Sequence, residues 1–213
     1  MERPAVNHRI LIGVLIILYA VGLVGFSQES LQPLFIELVP VHLLVVTVIL
    51  LYTTHPLNTR VVIILAAIGI TGFFAEVAGV LTGLIFGSYS YGPALGVKLW
   101  DVPLLIGLNW VSLTLASVII VSRLSFPAWI KALLGGSLMV FLDLWLEPLA
   151  GPLHYWYWEG GVIPIQNYIA WMFFSVLFCF TLLRFGPKLT SPIAGWWLGL
   201  QIGFFVILNG VLW

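Results

Sequence analysis

Seven long apolar stretches constrain what this chain can fold into. Each approaches the roughly 20 residues with which an α-helix crosses about 30 Å of hydrocarbon. Backbone N–H and C=O groups must be paired within lipid, and the stretches lack the alternation of barrel strands, so helices are the expected element. The predicted spans are residues 9–26, 35–53, 61–87, 102–122, 128–149, 164–184 and 191–213.

Composition supports an all-α, polytopic membrane bundle that forms a single domain over residues 1–213. Hydrophobic residues make up 62% of the chain and charged residues 8%, which excludes a soluble protein of this size. The eight basic and eight acidic residues cancel, which argues against nucleic acid as a partner. The lipid bilayer is therefore the expected surrounding. The stretch that follows Arg9 is interpreted as an uncleaved first helix.

The distribution of basic residues predicts the orientation of the bundle. If the N-terminus lies inside the cell, Lys98 is the one basic residue on the outer side, because the inner segments hold Arg3, Arg9, Arg60, Arg123, Lys131, Arg184 and Lys188. Cytoplasmic segments of membrane proteins carry such an excess of Lys and Arg. The N-terminus is predicted inside and the C-terminus outside.

Carboxylates inside the apolar stretches are the candidate functional groups. Glu76 is the one charged residue of the stretch 63–86, and Asp143 and Glu147 lie near the end of the fifth span. An ionisable side chain in hydrocarbon costs roughly 2.5 to 3.5 kcal/mol on insertion scales, and it normally marks a proton path, an ion site or a catalytic group. These acids are predicted to converge in the outer half of the bundle.

Asp143 and Glu147 are four residues apart, so they share one helix face. Their mutual repulsion, the apolar surroundings and a helix end expected just before Pro148 all favour the neutral form of one acid. A general acid must be neutral near neutral pH. The alternative interpretation makes Glu147 an interfacial residue in contact with water.

Glycines predict the direction of Glu76. Gly72, Glu76, Gly79 and Gly83 fall on nearly one helix face, and Gly79-x-x-x-Gly83 permits close helix approach. Glu76 is therefore predicted to point into the bundle, roughly 16 Å deep, with Asp143 at roughly 9 Å. The alternative is a structural hydrogen bond to a neighbouring helix.

Polar and aromatic residues near the outer side complete the candidate site. Asp101 precedes the fourth span, where it either joins the acids or caps the helix N-terminus. Asn109 is placed to hold a water or to pair with Glu76. The aromatic segments 87–93 and 151–160 are typical of an interfacial belt, or they wall a site where positive charge develops.

Several classes of protein are disfavoured by what the sequence lacks. The four histidines are scattered, which argues against a histidine-rich di-iron enzyme. The last span has no lysine for a retinal Schiff base, and no dinucleotide or P-loop motif is present. No cofactor and no metal are therefore expected. Matched broken helices in two halves are also missing, which weakens a transporter interpretation.

An ordered set of motifs resembles a known family. Glu76-x-x-Gly79-Val-Leu-Thr-Gly83-x-x-Phe-Gly87-x-Tyr-x-Tyr91-Gly92 is similar to the central motif of membrane-embedded carotenoid 1,2-hydratases of the bisanhydrobacterioruberin hydratase type. The likeness continues in order through Val102-Pro103, Asn109-Trp110, Asp143-x-x-x-Glu147-Pro148, Trp156-x-Trp158-Glu159 and Ile163-Pro-x-x-Asn167-Tyr-x-x-Trp171. Glu147 stands where the family often has an aspartate.

The resemblance implies hydration of the terminal C1=C2 double bond of an acyclic, lycopene-like carotenoid through a tertiary carbocation. On this hypothesis Asp143 donates the proton and Glu76 stabilises the cation or steers the water, with the reverse assignment left open. Glu147 and Asp101 would tune or reload the acid. Residues expected to bind substrate or water are Tyr89, Tyr91, Asn109, Trp110, His154, Trp158, Glu159, Asn167 and Trp171.

The resemblance also implies the cytoplasmic membrane of a prokaryote, with other carotenoid-pathway enzymes as candidate partners. Three alternatives remain open from the sequence. A proton-initiated end-group cyclase would use similar acids without capturing water. A carotenoid-binding or assembly protein would need no acid at all. A proton-coupled transporter would move protons across the membrane together with its substrate.

Overall fold

A computed structural model describes residues 7–212 and confirms the all-α, polytopic helix bundle. Arg3 and Trp213, which the sequence assigned to the inner side and to the seventh span, lie outside the described residues. The helices are α1 (His8–Ser27), α2 (Gln32–Thr53), α3 (Thr59–Thr82), α4 (Leu105–Val121), α5 (Ala128–Ala150), α6 (Ile165–Phe185) and α7 (Ala194–Leu212). Short strands β1 (Tyr89–Tyr91), β2 (Lys98–Leu99), β3 (Val102–Pro103) and β4 (Trp156–Trp158) lie in the connections, and one 3₁₀ turn spans Glu159–Gly161.

Six of these helices are long and apolar enough to cross a membrane, which makes the chain an integral membrane protein. The remaining one, α4, has 17 residues and spans about 25 Å. It is shorter than the predicted span 102–122 because Val102 and Pro103 pair with β2 instead of starting the helix. Large apolar side chains such as Ile17 and Ile63 are exposed on the outer helices, as expected for surfaces that face hydrocarbon.

The short helix α4 forms the centre of the bundle. It contacts α2, α3, α5, α6 and α7, and 13 of its 17 residues are buried. Around it, α1 packs on α2 and α7, and α5 packs along α6. The central position explains why α4 needs no polar outer face: its surroundings are other helices.

The C-terminal ends of α3 and α5 differ from what the sequence indicated at Gly83 and Pro148. α3 stops at Thr82, five residues before the predicted end, because Gly83 adopts a left-handed conformation (φ 66°) and caps the helix. α5 continues through Pro148 to Ala150 instead of ending near Glu147. A proline is tolerated there because neighbouring groups satisfy the freed backbone atoms in membrane helices.

The glycine contact predicted at Gly79 and Gly83 is wrong. Gly79 lies against the Phe86 ring, and Gly83 is the helix cap. The close approach of α3 to α4 uses other glycines: a Cβ on Gly107 would lie 2.8 Å from the carbonyl oxygen of Gly69. A side chain at either position would push the two backbones apart, so this contact fixes how near α3 can bring its carboxylate to α4.

Candidate functional site

Three buried carboxylates meet around one cavity of about 80 Å³. Glu76 comes from α3, Asp143 and Glu147 come from α5, and each side chain is at most 3% exposed. Asn109 of α4, Asn167 of α6 and Gln201 of α7 contribute amide side chains to the lining. Among the described residues that line the cavity there is no lysine, arginine or histidine. The acids therefore face one another without a cationic partner.

Glu76 and Asp143 lie at similar distances from the C-terminal ends of their helices. Glu76 is six residues before the end of α3, and Asp143 is seven residues before the end of α5. At the helical rise, these separations are about 9 and 10 Å. The prediction that Glu76 lies about 11 residues, or roughly 16 Å, from the end of its helix is wrong, because it rested on a third helix that continued to residue 87.

Neutral donors hold Glu76. The Tyr89 and Tyr91 hydroxyls donate to Glu76 Oε2 at 2.5 and 2.8 Å, and Trp110 Nε1 donates to Oε1 at 3.3 Å. Burial, reinforced by the nearby charge of Glu76, raises the pKa of both phenols well above the usual value. Both tyrosines therefore remain protonated and act as donors.

A second donor set holds Glu147 and reaches Asp143. Trp158 Nε1 and Trp156 Nε1 donate to Glu147 Oε2 at 2.7 and 3.1 Å. The amide nitrogen of Asn167 donates to Glu147 Oε1 at 2.7 Å and to Asp143 Oδ2 at 3.2 Å. A side-chain amide carries two N–H groups, so one asparagine bridges both carboxyl groups.

Asp143 is the acid with the fewest donors. In the part of the chain that the structure describes, Asn167 supplies its one side-chain hydrogen bond, whereas Glu76 and Glu147 each receive three. A buried carboxylate needs donors to replace the water that it loses. Asp143 is therefore the carboxyl group whose surroundings suit a neutral acid best.

A two-stranded ribbon delivers two donors of each set. β1 pairs with β4 in antiparallel register, with Tyr89 opposite Trp158 and Tyr91 opposite Trp156. Side chains alternate between the two faces of a strand, so these four rings share the face that covers the carboxylates. Tyr157, the middle residue of β4, is exposed. The ribbon explains why two distant aromatic segments serve one site.

Aromatic rings form the remaining walls. Trp110 stacks on Trp171 with ring centroids 4.3 Å apart and planes 26° apart. Gly72 makes room for this pair, because a Cβ there would lie 2.6 Å from the Trp110 ring. Phe86 also lines the cavity. The π faces of such rings attract a positive charge, most strongly where water is excluded.

Most residues predicted from sequence line this cavity, and three do not. Those that line it are Glu76, Tyr89, Tyr91, Asn109, Trp110, Asp143, Glu147, Trp158, Asn167 and Trp171. Asp101, His154 and Glu159 are exposed and lie outside the lining. The predicted pairing of Asn109 with Glu76 is replaced by the hydrogen bond from Trp110.

The three outlying residues take part in local contacts of the connections. Asp101 sits in the turn between β2 and β3 with φ 63°, and the residue at the N-cap of α4 is Leu104, so the predicted Asp101 cap is wrong. His154 contacts the Tyr157 hydroxyl on the outer side of the ribbon. Glu159 opens the 3₁₀ turn, and its backbone N–H donates to the Ser88 carbonyl oxygen.

Trp156 and Gln201 are two of the cavity residues that escaped the sequence prediction. Trp156 was assigned to an interfacial belt, although the alternation of Trp156 and Trp158 is the period of a strand with one buried face. Gln201 was missed altogether. It is 5% exposed, its Oε1 has no hydrogen-bond partner among the described residues, and its signal was an amide isolated in an apolar stretch.

Metal-binding geometry is not found at this site. Within residues 7–212, no group of three or more His, Cys, Asp or Glu side chains is arranged to hold a metal ion. The groups that the cavity offers for chemistry are the carboxyl groups and their hydrogen-bond donors.

Comparison with known proteins gives one match. The sequence model of the family described as "Carotenoid biosynthesis protein" matches residues 38–210, which include every residue that lines the cavity. No curated protein and no solved structure matches the chain.

Proposed function

The chain belongs to the carotenoid biosynthesis protein family, and we propose that it hydrates the terminal C1=C2 double bond of an acyclic carotenoid by acid catalysis. A role in carotenoid biosynthesis follows from the family. The hydration step is supported chiefly by one observation. Asp143, a carboxyl group with one side-chain hydrogen-bond donor, shares a cavity with aromatic walls with Glu76 and Glu147, which each have three donors.

Asp143 is the proposed proton donor. Its proton is transferred to C2 of the trisubstituted alkene, the π bond breaks, and a tertiary cation forms at C1. The neutral acid needed for this step is favoured by the single long hydrogen bond to Asp143. Glu147, four residues further along α5, limits the negative charge that the pair can carry.

Glu76 and the stacked indoles are proposed to stabilise the cation. A carboxylate fixed by Tyr89, Tyr91 and Trp110 needs no reorganisation when positive charge develops nearby. The rings of Trp110 and Trp171 add their π faces. Both effects favour the transition state over the neutral alkene, which is the requirement for catalysis.

Capture of water completes the reaction. Water attacks C1 with an oxygen lone pair, and the proton that it then releases returns to the Asp143–Glu147 pair, so the acid is restored and one water is added overall. A cavity of about 80 Å³ has room for water, which requires roughly 10 to 15 Å³ on this measure. Gln201 Oε1 offers an acceptor that can orient the water.

The product of a lycopene assay tests the proposal. Membranes that contain the protein are incubated with lycopene in ¹⁸O-labelled water, and the products are analysed by mass spectrometry. We expect a tertiary alcohol heavier than lycopene by one labelled water, or two if both ends react. An isomer of unchanged mass would instead identify a cyclase, and unchanged lycopene bound to the purified protein would identify a binding protein. Membranes without the protein are the control.

We also propose that the N-terminus faces the cytoplasm in the membrane of a prokaryote, which places the cavity in the outer half. Cysteines introduced one at a time test this orientation. The chain's one native cysteine, Cys179, is buried and should not compete for the label. Glu159→Cys should react with a membrane-impermeant maleimide on intact cells, whereas Lys188→Cys should react only after lysis. Both positions are exposed. The opposite labelling pattern would reverse the orientation.

A further inference from the structure

An apolar groove lies beside the carboxylate cavity, between α1, α2 and α7. Its volume is about 300 Å³, compared with about 80 Å³ for the cavity. Leu18, Val21 and Gly22 contribute from α1, Leu38 and Val45 from α2, and Phe204 from α7. No Lys, Arg, Asp or Glu is among the described residues that line it. Its polar side chains are Tyr19, His42, Tyr155 and Gln201, and the rest of its walls are apolar and suit a hydrocarbon chain.

The groove and the cavity adjoin each other. Both are lined by Val39 and Leu43 of α2, by Tyr155 after α5, and by Gln201 and Phe205 of α7. These five residues form the boundary between the groove and the cavity, so the end of a chain held in the groove would lie next to the site of the acids. A second apolar depression, between α3 and α4 and including Ile70 and Trp100, shares no lining residue with the cavity.

The groove is also open to the bilayer. Val21 on α1 and Leu38, Val41 and Val45 on α2 line it and are exposed. The facing helices α1 and α2 both have membrane-spanning length, so their exposed apolar residues face hydrocarbon. An apolar ligand dissolved in the membrane can therefore enter between α1 and α2 without crossing water.

From this geometry we infer that the groove between α1, α2 and α7 binds the polyene chain of an acyclic carotenoid and presents its end to the carboxylates. The inference rests on the proposed function for the identity of the ligand. The cavity alone accommodates only a few water-sized groups, whereas the substrate of a terminal hydration is a long chain with a reactive tip. The groove holds the chain, and the cavity holds the tip together with the water.

Two pairs of matched variants test the groove. Val21→Trp and Val45→Trp place a large ring in it from opposite walls. Val24→Trp and Val48→Trp put the same ring one turn away on the same helices, outside the lining. Val21 and Val24 are similarly exposed, at 52% and 55%, so the two substitutions should have similar effects on the stability of the fold. Ile70→Trp obstructs the depression between α3 and α4 and serves as a third control.

Binding is measured apart from turnover, so that failure of the groove and failure of the hydratase proposal can be told apart. Each variant is purified from membranes that contain lycopene, and the carotenoid carried with it is quantified. Val21→Trp and Val45→Trp should retain roughly tenfold less lycopene than their controls. The introduced Trp ring occupies part of the apolar groove and so removes contacts between the groove and the lycopene chain. In turnover, they should raise KM for lycopene more than they lower kcat. A short acyclic isoprenoid with the same end group should be affected less.

The outcomes separate clearly. If the wild type retains lycopene and the groove variants do not, the groove is supported even where no hydration is detected. If the groove variants bind and hydrate lycopene as their matched controls do, the groove is not the chain-binding site, and the hydratase proposal is unaffected. An equal loss for lycopene and the short isoprenoid, without a change in KM, would also overturn the assignment.

Discussion

Asp143→Asn is expected to lower the rate of lycopene hydration by roughly 100- to 10,000-fold, the usual contribution of a positioned general acid. Asparagine has nearly the same shape and can still pair with Asn167, so the local packing survives the change. It has no proton acidic enough to transfer to C2. The measurement is the initial rate of product formation in membranes that contain equal amounts of each protein.

The matched control is Asp101→Asn, the same substitution at the chain's other aspartate. Asp101 is exposed in the turn between β2 and β3, so this variant is expected to keep close to the full rate. It also tests the sequence-based role of Asp101 as an acid that tunes the site. If Asp143→Asn proved as active as Asp101→Asn, Asp143 would be excluded as the proton donor.

Glu76→Gln is expected to reduce kcat by roughly 100- to 1,000-fold while lycopene binding is retained, by analogy with the loss of one preorganised electrostatic group. The amide no longer carries the negative charge that opposes the cation. It also presents an NH₂ group in a site whose three partners, Tyr89, Tyr91 and Trp110, all donate. The measurement combines kcat with the amount of lycopene that co-purifies.

Thermal unfolding separates this effect from a structural one. Glu76 anchors β1 through two tyrosines, so the substitution also disturbs the ribbon. Glu37→Gln, at an exposed carboxylate on α2, controls for the change in charge. A Glu76→Gln variant that unfolds at lower temperature but keeps its kcat would make Glu76 a structural anchor, which is the alternative that the sequence left open.

The sequence predicted the helices well because hydrocarbon thickness sets their length and backbone pairing sets their type. It also identified the three acids, since a carboxylate inside an apolar stretch is costly and is seldom found there without a role. Helix ends were less predictable. Gly83 was interpreted as a packing residue when it is a cap, and Pro148 was interpreted as a stop when it lies inside α5. The error at Gly83 changed the expected distance of Glu76 from the end of its helix without changing its direction.

The ribbon could not be predicted with the same rules. Its strands have three residues each and are separated by two helices, α4 and α5, so no local hairpin signal connects them. The signal in the sequence was the alternation in Tyr-Ser-Tyr and Trp-Tyr-Trp, which the interfacial-belt interpretation obscured. Gln201 was missed for a related reason: a lone amide has no partner in the sequence that would indicate what it faces.

The pairing of β1 with β4 joins the connection between α3 and α4 to the connection between α5 and α6 as one structural unit. Tyr89 and Tyr91 position one acid, Trp156 and Trp158 position another, and cross-strand pairing joins the four rings. A shift of one strand by a single residue would turn its rings away from the site and release its carboxylate. Anyone who exchanges loops between family members to alter the product should therefore transplant residues 83–104 and 151–164 together, as one cassette.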